Sequence, residues 1–335
     1  MRTARTAATA AACAALILLA AGCSSSGGKD SEDTSDDGVG GGKASGPRLK
    51  IAMVTHSGDG DTFWDIVKRG AETAAAKDNV EFLYAHDDEA KEQAQLVQSY
   101  IDKKVDGIVV TLAKPEAMKD VLAKAAAAGI PVVTINSGGA YSAQYGALSH
   151  IGQDEAVAGE AVGDELTKRG LKNALCVIHE QGNVSLEDRC AGVKKAFGGS
   201  TENLHVTGTN MPETQSTIQA KLEAAKSGRT IDVVVTLGAP FAEAAVKAKK
   251  DANSKAEIDT FDLNADVVRQ LKAKTIGFAV DQQPYLQGYL AVDELWLYQT
   301  NANIVGGGKP VLTGPAIVTE KDVPRLEKLT KNGTR

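Results

Sequence analysis

The chain is predicted to fold as α/β, with two similar domains that each carry a parallel sheet covered on both faces. Three observations lead there. After residue 47, short apolar runs alternate with segments of helical period, the pattern of strands and helices taken in turn. The runs have few charged interruptions, as strands buried on both faces require. With 335 residues and 43% hydrophobic content, the chain is long enough for two ordinary domains and a substantial core.

The N-terminus reads as an export address. Residues 1–6 carry Arg2 and Arg5 and no acid, and the "AATAAACAALILLAAG" that follows is apolar and small, which makes residues 1–22 a signal peptide. The run is too short and too rich in alanine for a permanent membrane span. Its end, "LLAAGC", resembles a bacterial lipobox. Cys23 would be the lipidated first residue of the mature chain, with Gly22 and Ala21 before it and Ala20 where the pattern prefers leucine. Acyl chains on Cys23 would hold the protein to the outer face of the cell membrane, at ~0.8 kcal/mol per buried methylene. Losing Arg2 and Arg5 with the signal makes the formal charge of -6 two units more negative, a surface that repels nucleic acid.

Behind Cys23, residues 24–47 are serine, glycine and acid with almost nothing to bury, so residues 23–47 form a lipidated cysteine and a disordered tether. As a flexible chain it spans about 27 Å on average. Within it, "DTSDDG" begins like a calcium loop, but the required glutamate is replaced by Ala44, and "GVGGGKAS" lacks the first glycine and the hydroxyl of a P-loop.

In the folded part, "LKIAMVT", "VEFLYA", "GIVVTL" and "PVVTIN" read as strands before residue 150. "ALCVIH", "LHVTGT", "IDVVVTL", "EIDTFD" and "TIGFAV" read as strands after it. The segments between them are helical. In "EAKEQAQLVQSYIDKK", Ala90, Ala94, Val97 and Ile101 fall on one stripe, and "PEAMKDVLAKAAAAG" opens with Pro115 and closes with Gly129.

Open parallel sheets bind ligands beyond the carboxyl ends of their strands, which directs attention to "HSGDGDTFW", "NSGGAYS", "EQGNVSLEDR", "GAPF", "FDLN" and "DQQPY". The first of these is not a dinucleotide loop. Gly58 and Gly60 supply two glycines of the fingerprint, but Phe63 occupies the third place, and Asp59 and Asp61 would repel a pyrophosphate. Acids beside aromatic rings suit a neutral polyhydroxylated ligand, since carboxylates accept from hydroxyls while a ring packs on C–H faces. The alternative for Phe63 and Trp64 is a place in the core of the helix.

From about residue 48 to residue 320, the order and content of these segments resemble the type I periplasmic sugar-binding proteins, the ribose-binding-protein family that serves ABC transporters. "GDTFWDIVKRG" is similar to the family's first binding loop and helix, "GNVSLEDRCAGVKKAF" to the helix whose arginine reaches the ligand, "TFDLNADVV" to the Phe-Asp loop, and "DQQPYLQGY" to the late loop with a glutamine before proline. The resemblance implies that Asp61 hydrogen-bonds ligand hydroxyls and that Phe63 and Trp64 stack on the ring. It gives Arg189 a donating fork from the second domain, Asp262 two accepted hydroxyls, and Gln282 a contact from a crossover strand, with Asp281 beside it. Asn136, followed by Ser137, stands where ribose binders commonly have an Asp-Arg pair, and Gly238 stands where a polar residue is expected, which points away from ribose itself within the same class. Arg189 could otherwise be a surface ion-pair partner, and Asp262 a helix N-cap for "NADVVRQL".

The implied topology is two Rossmann-like domains joined by a hinge of three crossovers near Gly152, Asp281 and Val311. Residues 48–152 and 282–310 would form the N-terminal lobe, and residues 153–281 and 311–335 the C-terminal lobe. By resemblance the protein is a monomer without cofactor, metal or catalytic residue. It would capture a monosaccharide or cyclic polyol of pentose, hexose or inositol type in the interdomain cleft by hinge closure and deliver it to an ABC permease and its ATPase. A ligand-sensing lipoprotein for a membrane receptor is the alternative, and a secreted carbohydrate-active enzyme a remote one.

Cys13 leaves with the signal and Cys23 is taken by lipid, so Cys176 and Cys190 remain as a pair in an exported domain, and a disulfide between them is expected. A zinc site of Cys176, His179 and Cys190 lacks a fourth ligand at usual spacing. Neither G-x-S-x-G nor H-E-x-x-H occurs, and no helix-turn-helix precedes the domains as a repressor would need.

Overall fold

The computed structural model describes residues 44, 46–58 and 61–335. The signal peptide, Cys13, Cys23, nearly all of the tether, and Asp59 with Gly60 lie outside the described residues. Among the described residues, no helix is long and apolar enough to cross a membrane.

The first half of the folded chain runs β1 (Lys50–Thr55), α1 (Thr62–Lys77), β2 (Glu81–His86), α2 (Ala90–Asp102), β3 (Gly107–Thr111), α3 (Pro115–Ala127), β4 (Val132–Ile135), the short α4 (Gly139–Ser142) and β5 (Ser149–Gly152). The second half continues with α5 (Glu155–Lys168), β6 (Asn173–Ile178), α6 (Val184–Ala196), β7 (Ser200–His205), α7 (Met211–Ala224), β8 (Val233–Thr236), α8 (Ala239–Asp251), β9 (Glu257–Phe261), α9 (Ala265–Lys272) and β10 (Ala279–Asp281). It closes with α10 (Pro284–Asn301), β11 (Val311–Leu312), β12 (Ala316–Val318) and α11 (Val323–Lys331).

The strands form two six-stranded sheets, ordered β11-β5-β4-β3-β1-β2 and β12-β10-β9-β8-β6-β7. All pairs are parallel except β10 with β12, so the α/β class with two parallel-dominated sheets holds. Central strands β1, β3, β4 and β8 are almost wholly buried, as apolar runs without charges require. Each sheet is sandwiched between two apolar clusters, and Ala291, Val292 and Leu295 of α10 belong to the cluster of the first sheet.

Two differences from the sequence reading have physical causes. The run "LHVTGT" supplies only the last residues of β7, which begins at Ser200. As an edge strand with exposed positions, β7 does not need an apolar run. Strand β5 is invisible to an apolar pattern because Ser149 and His150 fill it. Both are buried with polar partners: Ser149 donates to Glu294 at 2.7 Å, and His150 Nδ1 meets Thr134 Oγ1 at 2.9 Å.

Three strands of chain join the lobes. They run from Gly152 to Glu155, from Asp281 to Pro284, and from Leu312 to Ala316. The third lies beyond Val311, where the resemblance had put it, because Val311 and Leu312 pair with Ile151 and Gly152 in the first sheet. The crossings are tied together: Thr313 N donates to Gly152 O at 2.8 Å, and Gln283 Nε2 donates to Thr313 O at 2.7 Å.

Helix starts follow side-chain caps. Asp61 accepts from Phe63 N, Asp154 from Val157 N and Asn183 from Ser185 N, while Pro115 opens α3. Helices α5 and α6 approach closely because both carry glycine at the contact. A Cβ on Gly159 would lie 2.1 Å from Arg189 O, and one on Gly192 2.3 Å from Ala156 O. The Cys176–Cys190 disulfide ties α6 to β6 with Cα atoms 5.9 Å apart and a sequence separation of 14. Closing so short a loop contributes ~3 kcal/mol on the chain-entropy model. Because the α5–α6 contact is backbone against backbone, Gly159→Ala is expected to destabilise the protein by ~1–3 kcal/mol in chemical denaturation.

Candidate functional site

The carboxyl ends of the two sheets face one cleft of about 550 Å³, a volume suited to a small molecule. From the first lobe, the turn after β1 brings His56 and Ser57, the start of α1 brings Asp61, Phe63 and Trp64, and the turns after β2 and β4 bring Asp88 and Asn136. From the second lobe, the turn after β6 brings His179 and Glu180, α6 brings Asn183 and Arg189, and the turns after β8 and β9 bring Phe241 and Asp262. Gln282 enters from the second crossing. A smaller crevice of about 180 Å³ near Asn173, Ser200 and Lys221 opens at the amino ends of β6 and β7, away from the loops that face the cleft.

Two polar assemblies order the cleft. In the first, Asn136 Nδ2 donates to Gln282 Oε1 at 3.0 Å, and Gln282 Nε2 donates to Asp262 Oδ1 at 2.7 Å, a relay from one lobe through the hinge to the other. Gln287 Nε2 also donates to Gln282 Oε1 at 3.0 Å, so the hinge amide is fixed from α10. In the second, Arg189 is gripped on one side by Glu155: Nε donates to Oε2 at 2.6 Å and Nη2 to Oε1 at 2.9 Å. Its Nη1 donates to Leu237 O at 3.1 Å, and its guanidinium lies 4.8 Å from the centroid of the Phe261 ring.

The walls are aromatic on both sides. Phe63 and Trp64 meet edge to face with centroids 5.1 Å apart, and Trp64 meets His56 edge-on at 5.0 Å. Opposite them, His179 stacks on Phe241 at 3.8 Å. Burial lowers the pKa of His179 to about 3, with Arg189 and His56 pushing the same way, so this ring is neutral and acts as a flat wall.

The periplasmic binding protein domain family matches residues 51–302. The chain belongs to this family. A carbohydrate transporter from Acidothermus cellulolyticus 11B, solved in complex with myo-inositol, is 48% identical, covers 86% of this chain and 100% of its own, and superposes with a TM-score of 0.84. The ribose import binding protein RbsB of Haemophilus influenzae is 26% identical over 249 residues, 72% of this chain and 82% of its own length. The xylose/arabinose-binding protein XylF of Sulfolobus acidocaldarius is 26% identical over 225 residues, 62% of this chain but only 56% of that relative's length. The protein is therefore a type I periplasmic binding protein of the sugar-binding ABC transporter class, an extracytoplasmic family whose relatives bind rather than transform their ligands.

In this periplasmic binding protein, seven of the residues singled out from sequence line the cleft: Asp61, Phe63, Trp64, Asn136, Arg189, Asp262 and Gln282. Asp281 does not. Its Oδ1 accepts from Gln283 N at 2.9 Å and its other oxygen pairs with Arg335, so its carboxylate serves the hinge. The N-cap of α9 is Asn264, which accepts from Val267 N at 2.7 Å, and Asp262 is thereby free of that role. Arg189 is no surface residue, being 3% exposed. Trp64 serves two purposes, since it packs in the first-lobe core with Met53 and Val67 while also lining the cleft, whereas Phe63 is half-buried. The turn that opens with His56 and Ser57 lines the cleft through both, while Asp59 lies outside the described residues.

Sequence reasoning did not place His179, Phe241, Glu180, Asn183 or Glu155 at the site, and weighed His179 only as a zinc ligand. Phe241 and Glu180 stood in loops already marked, "GAPF" and "EQGNVSLEDR", so only their direction was missing. Glu155 carried no signal, because an acid in the first turn of a helix is ordinary. Among the described residues, no group of three or more His, Cys, Asp or Glu could hold a metal ion.

Burial dominates the titration of Asp262 and raises its pKa to about 7, against the pull of Arg189 and the Gln282 hydrogen bond. The unfolded reference is 3.8. Between those values the folded protein holds the proton more tightly than the unfolded chain, so this group's contribution to stability falls as pH rises from about 4 to about 7. Asp262 has φ of 67°, a left-handed conformation that asparagine also tolerates. Asp262→Asn is therefore expected to raise the melting temperature of the ligand-free protein at pH 8 by a few degrees, with a gain that shrinks toward pH 4. Differential scanning calorimetry across that range checks the sign.

Proposed function

We propose that this periplasmic binding protein captures a neutral polyhydroxylated ring, a cyclic polyol of inositol type or a monosaccharide, and delivers it to an ABC permease and its ATPase. The observation that carries this reading is the chemistry of the cleft. Acid acceptors Asp61, Asp88, Glu180 and Asp262 stand between aromatic walls, with Arg189 as a donor whose charge is already paired. Carboxylates accept hydroxyl hydrogen bonds more strongly than neutral groups do, and rings pack on the C–H faces of a cyclic polyol. The 48% identity to a protein solved with myo-inositol supports an inositol-type ring as the first ligand to test.

Asp61 and Asn136 would present polar groups from the first lobe, Arg189 and Asp262 from the second, and Gln282 from the hinge, so that a bound ring touches both lobes. A ligand that touches both lobes stabilises the closed form relative to the open one, and the population shifts accordingly. The lipobox-like end at Cys23 and the acidic tether support anchoring at the outer face of the cell membrane, with the binding domain held near the permease. No step makes or breaks a covalent bond.

Isothermal calorimetry and thermal shift with myo-inositol, pentoses and hexoses test the reading. At a ligand concentration 100 times Kd, the expected stabilisation is ~2.7 kcal/mol. Arg189→Ala is expected to weaken binding at least about tenfold, since a lost hydrogen bond to a charged group costs ~1.5–3 kcal/mol. Absence of any stabilising ring, or wild-type affinity in Arg189→Ala, would overturn the assignment.

A further inference from the structure

We propose that Glu155, a residue outside the cleft, sets the ligand's charge class by filling the side-on edge of Arg189 and matching its charge. The inference rests on the reading of the cleft as a polyol site. A guanidinium has five N–H donors, and its side-on Nε edge, like its Nη1–Nη2 end, is a receptor for carboxylate or phosphate. In Arg189 the Nε edge is filled from within the protein, by the two bonds of 2.6 and 2.9 Å to Glu155. Leu237 O takes a third donor, which leaves two N–H groups for a ligand. What faces the cleft is therefore one donor each from Nη1 and Nη2, on a cation whose charge is already matched by a carboxylate, so that hydroxyl oxygens gain hydrogen bonds there while an acid gains no uncompensated charge.

The geometry is built rather than incidental. Glu155 is 8% exposed, Arg189 3%. Gln153 Nε2 donates to Glu155 Oε2 at 2.8 Å, which fixes the carboxylate from the first crossing. Glu155 sits in the first turn of α5, where the helix dipole favours a negative charge. The glycine contact between α5 and α6 sets the separation of the two helices that carry the pair. With Glu155 in place, the other cleft carboxylates, among them Asp61 and Asp262, oppose any anionic ring.

The test compares wild type with Glu155→Gln and Glu155→Asp, using myo-inositol as the neutral ring, D-glucuronate as the anionic one and acetate as a minimal anion. Wild type is expected to reject glucuronate and to show no stabilisation by acetate beyond that of chloride at equal ionic strength. In Glu155→Gln the affinity ratio of glucuronate to the neutral ring should rise at least about tenfold, and acetate should raise the melting temperature, as expected for an uncompensated buried cation. Glu155→Asp, which keeps the charge, should retain the wild-type discrimination. A parallel loss of both ligands in Glu155→Gln with no acetate response marks Glu155 as merely structural and overturns the proposal, as does an acetate response of equal size in Glu155→Asp. Should Glu155→Gln not fold, Glu155→Ala takes its place with the same two readouts and the same deciding outcomes, and binding of glucuronate to wild type within tenfold of the neutral ring overturns the proposal in either case. If no neutral ring binds wild type, the polyol reading fails while the acetate comparison still decides the role of Glu155.

Discussion

The hydrogen-bond relay from Asn136 through Gln282 to Asp262 is where the two sheets, the hinge and the cleft meet. Gln282 is 1% exposed, and a buried amide must be satisfied at both ends. Its oxygen accepts from Asn136 of the first lobe and from Gln287 of α10, and its nitrogen donates to Asp262 of the second lobe. The hinge residue is thus correctly oriented only when both lobes present their polar groups together. That requirement links hinge geometry to the site through two side-chain hydrogen bonds.

Charge is arranged on the same logic. Burying a lone guanidinium in the second lobe would be unfavourable by several kcal/mol, and Glu155 offsets that by pairing with Arg189 from the adjacent helix. The pair requires α5 and α6 to lie close, which Gly159 and Gly192 permit, and α6 is held to β6 by the Cys176–Cys190 disulfide. A small-residue contact, a cross-link and an ion pair therefore act on one task, holding a donor at a set position on the cleft wall.

Much of this was legible in the sequence, for reasons that can be named. The parallel strands were visible because burial on both faces removes charge from runs such as "GIVVTL" and "IDVVVTL". The site loops followed from the strand ends, and resemblance placed Asp61, Arg189, Asp262 and Gln282 among them. What escaped is what depends on partners far away in sequence. Strand β5 is polar in letters but buried in fact, because Glu294 and Thr134 satisfy Ser149 and His150. Asp281 sits one residue from a cleft residue, yet alternation along an extended crossing turns its carboxylate to Arg335. Glu155 is recognisable only once Arg189 is seen against it.

The cleft also shows where stability has been set against function. Asp262 is held in a left-handed backbone conformation with its carboxyl raised to about 7 by burial, an arrangement that favours the proton and disfavours the acceptor form. A core would not retain such a group. A hydroxyl donating to Asp262 would supply the hydrogen bond that favours its ionised form, so ligand and carboxylate stabilise each other. On that argument the ligand-free cleft carries an unfavourable term that the proposed ligand would remove, and the proposed closure would draw on relief of that term as well as on new contacts.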